Sequence, residues 1–298
     1  MVAKTAGTAS DHQPVNAMTV DVEDYFQVSA FEPYIPRQAW DRLPCRVESN
    51  TDRILALFAG HGIKATFFTL GWVARRYPGL VRRIVEDGHE LACHGLSHVR
   101  VTEQTPEEFR EDVRVSKCIL EDISGQPVLG YRAASYSIGA KNLWAFPILE
   151  ELGFQYSSSI YPVRHDLYGM PEAPRFAFHP TDSSGGLLEL PVTTVKLGRH
   201  NYPCGGGGYF RLLPYPLSRW AMRRVNRTDR ESCIFYFHPW EIDPDQPRQS
   251  GISLKTRFRH YLNLSKMEIR LTALLRDFAW DTMANVFLPK AKIHSAAR

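Results

Sequence analysis

A chain of 298 residues, 44% hydrophobic and 23% charged, is long enough to bury a sizeable core and has the balance of an ordinary folded protein. Its 36 basic and 32 acidic residues leave a net charge of +4, far from the dense cationic stripe of a nucleic-acid binder. No run approaches the roughly 18 consecutive apolar residues that a membrane-spanning helix needs.

Residues 1–17 carry one lysine and no apolar stretch, which predicts a disordered tail rather than a secretory leader. The segment MTVDVEDYF (18–26) reads as a strand ending in carboxylates. An amphipathic helix is predicted from about Glu48 to His61, stopped by the glycines at 60 and 62. KATFFTLG (64–71) reads as a buried strand, residues 75–90 as a helix running into a glycine turn, and HELACHGLSH (89–98) as a short strand entering a histidine-bearing loop. At 105–125 the pattern is that of a capped helix, with Thr105 as N-cap, Pro106 at the first position and Gly125 closing it. A strand and loop follow at 127–137, a helix at 140–152 and a strand at 153–159.

The second half is less regular. Residues 162–210 are rich in Pro, Gly and His and suit ribbons and loops. CIFYFHPWE (233–241) is a nearly continuous apolar run, as for a strand covered on both faces, and the spacing of leucines predicts a helix over 261–277. Alternation of strand and helix at spacings of about 25 to 35 residues points to a parallel α/β architecture, barrel or open sheet. A single domain over 18–288 with a loop-rich insertion, and a second tail at 289–298, accounts for the whole pattern.

Four strand ends present groups that a core would reject: Asp21 with Glu23 and Asp24, His94 with His98, Arg132, and His238. The carboxyl ends of strands are where parallel α/β folds assemble sites. His94 and His98 are four residues apart, so a helical turn would bring both rings to one face, the spacing of two histidines on one metal ion. The alternative is a loop with two surface histidines. Asp21, Glu23 and Asp24 offer oxygen ligands; strand phase puts Asp21 and Glu23 on one side and Asp24 on the other unless the chain turns. The five cysteines are odd in number, scattered and without a CxxC pair, which predicts a reducing, cytoplasmic compartment; Cys93 reads as a small core residue.

The ordered set TVDVED, KATFF, HGLSH, GYRAASYS, GFQYSSS and FYFHPWE resembles the polysaccharide deacetylases of carbohydrate esterase family 4, over roughly residues 18–285. The segments GGGGYFRLLP and HPWEIDPDQPR are similar to the branch found in exopolysaccharide loci, which has a C-terminal extension. The resemblance implies a distorted (β/α) barrel of about seven parallel strands and a divalent ion, usually zinc. It places Asp21 on the family's general base, His94 and His98 on its metal histidines, Arg132 on the arginine that orients the base, and His238 on the general acid. Glu23 or Asp24 would complete the metal site, Glu23 being favoured by strand phase.

Two positions depart from the family pattern. Ala134 stands where proline is common, and Ser157 stands where an aspartate tunes the acid histidine, so His238 is expected to be a poorer cation. Gly207, Tyr209 and Trp240 are candidate sugar contacts, a glycine run letting backbone come close and aromatics stacking on sugar faces. His165, His179 and His200 read as loop histidines. The basic stretch 217–227, with Trp220, reads as a solvated helix face or a peripheral contact with anionic lipid. The expected activity is removal of N-acetyl groups from an amino sugar in a polysaccharide, oligosaccharide or glycolipid precursor. The alternatives are hydrolysis of a cyclic amide on the same fold, or a carbohydrate-binding protein impaired in catalysis.

Overall fold

The computed structural model describes residues 14–164, 169–181 and 186–288. His165, most of the expected N-terminal tail and the C-terminal tail lie outside the described residues. The strands are β1 (Asn16–Val22), β2 (Thr66–Thr69), β3 (Glu90–Cys93), β4 (Gly130–Tyr131), β5 (Tyr156–Ser157), β6 (Leu188–Glu189), β7 (Thr194–Leu197), β8 (His200–Pro203), β9 (Ile234–Phe237) and β10 (Trp280–Asp281). The helices are α1 (Val47–His61), α2 (Gly71–Arg76), α3 (Pro78–Glu86), α4 (Pro106–Ser124), α5 (Ala145–Glu151), α6 (Gly207–Leu212), α7 (Tyr215–Arg224), α8 (Leu254–Tyr261), α9 (Leu264–Asp277) and α10 (Met283–Phe287).

Parallel strands run in the order β10-β1-β2-β3-β4-β5-β6, and β9 pairs with β1 as well. The sheet curls into a half-barrel, in line with the distorted barrel that the family resemblance implies; β7 and β8 form a separate antiparallel hairpin in the loop-rich part. Because β1 pairs with β2, β9 and β10, strands from the two halves of the chain lie side by side in one sheet.

The period of two along β1 sorts its side chains. Met18, Val20 and Val22 face outward and pack with Phe67, Phe235 and Phe237 under α1 and α9. Ala17 faces the other way, with Phe68, Ala92, Tyr156 and Ile234, and Thr19 and Asp21 share its phase. The same alternation in β9 sends Phe235 and Phe237 outward and leaves Tyr236, then His238, facing in.

Three boundaries differ from the sequence reading. Asn16 and Ala17 are fully buried in β1, so the expected tail ends earlier than residue 17. The helix predicted over 75–90 is interrupted because Pro78 opens α3 and cannot continue α2. The helix predicted from 140 begins at Ala145, because Asn142 holds a turn: its Oδ1 accepts from Gly139 N (2.8 Å) and its Nδ2 donates to Ser137 O (2.8 Å). The other predicted helices form near their expected positions, including the Thr105–Glu108 capping box and the left-handed Gly62 and Gly125 at helix ends.

Candidate active site

Asp21, Glu23, His94, His98 and His238 converge on a cavity of about 200 Å³ at the carboxyl ends of the strands. Arg132 lies behind Asp21 and is fully buried. A tight turn in which Glu23 N donates to Asp21 O (3.0 Å) lets both carboxylates face the cavity.

Glu23, His94 and His98 each offer one donor atom, all within 4.8 Å of one another. His98 reaches the cluster without the helical turn expected for its spacing: the loop after β3 reverses with positive φ at Gly95 (79°) and His98 (53°). Gly95 is required there twice over, by its φ and because a Cβ would lie 2.9 Å from Asp112 Oδ2. Asp112 in turn accepts from Leu96 N (3.0 Å) and fixes the loop.

Several features fit a cation. His94 Nδ1 lies 2.8 Å from the carbonyl of Arg132, which holds that nitrogen as the donor and leaves Nε2 with its lone pair toward the cluster. Burial pushes the His94 imidazolium down to about 4, so the ring is neutral at pH 7, as a ligand must be. Burial would push the Glu23 carboxyl up, but His98 and His238 hold it down at about 2. Glu23 Oε1 receives Trp240 Nε1 at 3.4 Å, whereas the buried Oε2 has no hydrogen-bond donor although His98 Nε2 is 2.9 Å away. An ionised oxygen with no donor, beside two imidazoles, is the donor set of a His₂-carboxylate centre.

Asp24 is not part of this set. Its carboxylate turns away and accepts from Tyr25 N (2.9 Å), Arg46 N (2.6 Å) and Val47 N (2.9 Å), capping the start of α1. Asp24→Ala is expected to lower stability by about 1–2 kcal/mol in chemical denaturation and to leave metal content unchanged; loss of the metal would return Asp24 to the ligand set.

Arg132 Nη1 bonds Asp21 Oδ1 (2.5 Å) and Thr19 Oγ1 (2.8 Å), its Nη2 bonds Ser158 Oγ (3.1 Å), and its guanidinium lies 4.0 Å from the Phe68 ring centre. Held this way, Asp21 keeps Oδ2 toward the cavity, 4.0 Å from His238 Nε2. His238 also lies 3.4 Å from Glu23 Oε1.

The expectation that His238 lacks a carboxylate partner is overturned. Glu241, three residues on, places Oε1 2.8 Å from His238 Nδ1 and accepts from His238 N (3.1 Å). Burial pushes the imidazolium down, but Glu23 and Glu241 outweigh it and raise it to about 9. Glu241 is itself paired with the buried Arg211 (2.6 Å), whose other nitrogens donate to the carbonyls of Arg259, His260 and Leu262. Ser157 bonds Ser159 (2.8 Å) instead. Sequence reading missed Glu241 and Arg211; the i, i+3 spacing of His238 and Glu241 at a proline turn was the available signal.

Trp240 lines the cavity and stacks on both His238 (5.1 Å) and His260 (4.3 Å). Gly207 and Tyr209 do not line it. The glycine run packs against protein rather than ligand: Gly206 bridges Tyr236, and a Cβ on Gly207 would collide with the Glu241 carboxylate. His179 and His200 are exposed and away from the cavity. Cys93 is buried and its thiol is pushed up to about 12 by burial, the core role expected of it.

An α/β half-barrel with a buried His₂-carboxylate cluster, an Asp–Arg pair and a His–Glu pair at its strand ends defines the class of the protein. Residues 38–157 match the polysaccharide deacetylase family, and residues 158–288 match a domain family of unknown function, DUF3473. Both segments contribute to the cavity and to one sheet. Peptidoglycan-N-acetylglucosamine deacetylase of Bacillus cereus is 35% identical over 75 residues, 25% of this chain and 27% of that protein. Chitooligosaccharide deacetylase of a Bradyrhizobium species is 28% identical over 95 residues, 32% of this chain and 43% of that protein. The chain thus spans less than half of each of these relatives. A candidate polysaccharide deacetylase from Mycobacterium smegmatis shares the fold, with a TM-score of 0.57 at 20% identity, over 96% of this chain and 93% of that one.

Proposed function

We propose that the protein hydrolyses the N-acetyl group of an amino sugar in a polysaccharide, oligosaccharide or glycolipid precursor. The observation that carries this reading is the donor-less oxygen of Glu23 beside His94 and His98, with Asp21 and His238 facing the same cavity. The B. cereus relative, named a peptidoglycan-N-acetylglucosamine deacetylase, and the Bradyrhizobium relative, named a chitooligosaccharide deacetylase, support the substrate class.

Glu23, His94 and His98 would hold a divalent ion, zinc by ligand type, which when bound supplies an acidified water and polarises the acetamide oxygen. Asp21 Oδ2 faces the cavity and would take the proton of the attacking water, while Arg132 on Oδ1 fixes the orientation of the carboxylate. An amine leaves poorly, so a proton must reach its nitrogen. His238 Nε2 faces the cavity for that transfer, and Glu241 on Nδ1 fixes the ring and steadies its positive charge. Ser157 therefore no longer speaks for a protein impaired in catalysis. Among the described residues no helix is long and apolar enough to cross a membrane. The five cysteines are unpaired, which supports a reducing, cytoplasmic setting.

The test is amine release from acetylated chito-oligosaccharides before and after chelation. Activity is expected to vanish with the metal and return on adding zinc. His94→Ala is expected to abolish metal retention, measured by elemental analysis of the purified protein; undiminished metal content would remove His94 from the ligand set.

A further inference from the structure

A second pocket, of about 430 Å³, opens along α7 and the turn that follows it, and shares no lining residue with the catalytic cavity. Arg219, Arg223, Arg224 and Arg227 line it with Trp220 and Thr228, and none of its lining residues is Asp or Glu. The spacing explains how one segment delivers them. Residues 219, 223 and 227 step by four, as do 220 and 224, so helical geometry puts them side by side. Past Arg224 the chain makes a single π turn, Val225–Asp229, closed by Arg230 in the left-handed region (φ 60°), and this turn carries Arg227 and Thr228 to the pocket. Such turns are rare and recur at functional sites.

One acid serves the group, and it does not line the pocket. Asp277, at the end of α9, lies 3.2 Å from Arg219 Nε and accepts from Arg223 Nη2 (3.3 Å) and from the Tyr215 hydroxyl. It positions two guanidinium groups and cannot neutralise four. Arg223 Nε is buried with no hydrogen-bond acceptor among the described residues, and Arg224 and Arg227 have neither an ion pair nor a hydrogen bond there.

Like charges three and four residues apart destabilise a helix, so a stripe of this kind suits a multivalent anion between its members. Guanidinium forks match the oxygens of phosphate and carboxylate. Four around one recess call for denser charge than the single carboxylate per ring of an acidic glycan, which points to linked phosphates. Trp220, 44% exposed, sets an indole beside them, a surface for a flat ring. The volume lies in the range of pockets that take small molecules. A bilayer surface would meet protruding side chains, whereas these surround a recess.

We propose that this pocket binds a nucleoside diphosphate. Arg224 and Arg227, with Arg219 and Arg223 held by Asp277, take the linked phosphates, and the base lies on Trp220.

The test is calorimetric titration of the full-length protein with ADP, UDP and inorganic pyrophosphate, without magnesium. Both nucleotides are expected to bind one to one with Kd below about 1 mM, pyrophosphate more weakly, and all three less well at high salt. Arg224→Gln combined with Arg227→Gln should weaken all three at least about tenfold. Trp220→Ala should weaken the nucleotides about tenfold and leave pyrophosphate unchanged, a split that a general loss of structure would not produce. Both variants should keep the unfolding midpoint and their amine release from chito-oligosaccharides, since none of these residues lines the catalytic cavity. The proposal is overturned if neither nucleotide binds, or if Trp220→Ala leaves nucleotide affinity unchanged. Binding undiminished in the arginine double variant would place the ligand elsewhere and overturn it too. So would flotation with phosphatidylglycerol vesicles in a protein that binds no nucleotide, which would make this face a membrane contact. Binding is read without turnover, so the outcome does not depend on the deacetylase reading.

Discussion

Asp21→Asn is expected to lower amine release by about 10²–10⁴-fold while the protein still retains its metal. Asparagine is close in shape to aspartate and can still accept the Arg132 hydrogen bond through Oδ1, so the cavity geometry should survive. What it loses is basicity at Oδ2, the atom proposed to take the proton of the attacking water. The change also leaves the Arg132 cation without its counter-charge at zero exposure, so some loss of stability should accompany the kinetic effect. The two consequences separate experimentally. At a temperature well below the unfolding transition, turnover measures the base alone. Turnover near wild type, with a normal substrate dependence, would remove Asp21 from that role.

Arg211→Met is expected to lower stability by about 3–5 kcal/mol, measured as a shift of the denaturant midpoint, and to depress turnover in whatever protein remains folded. The guanidinium is 2% exposed and neutralises Glu241, while Nη1 and Nη2 satisfy the carbonyls at the end of α8 and of the residues after it. Methionine fills the space of the side chain but removes every one of these donors. Glu241 would stay buried with only His238 as partner, and the ring proposed to deliver the proton would lose its fixed support. Arg211→Lys, which keeps the charge but not the fork of donors, should be intermediate. A midpoint unchanged by the methionine variant would mean that water reaches these carbonyls and that the pair is not the anchor of the site.

The division of labour at the site follows from which contacts are local and which are not. His238 and Glu241 are three residues apart, yet their partnership depends on the turn Pro239–Ile242 and on Arg211, thirty residues upstream, packing behind the carboxylate. The glycine at 207 exists for the same arrangement, since any side chain there would displace Glu241. Glycine in a sequence signals only that backbone comes close to something. Whether that something is ligand or protein depends on the neighbouring element, here Glu241 and β9.

Much was legible before any coordinates. Alternating apolar residues, capping signals and helix-stopping glycines depend on neighbours within about a turn, so they predict the parallel α/β rhythm, and the strand ends point to Asp21, Glu23, His94, His98, Arg132 and His238 as the groups that would meet. Strand phase alone also favoured Glu23 over Asp24. Only the tertiary structure showed that Asp24 serves the N-terminus of α1, that a left-handed loop and not a helical turn unites the two histidines, and that His238 has its carboxylate in Glu241 rather than none. Each of these rests on contacts between segments distant in the chain, or on a backbone turn whose sense is fixed by what it packs against, and spacing along a sequence carries no record of either.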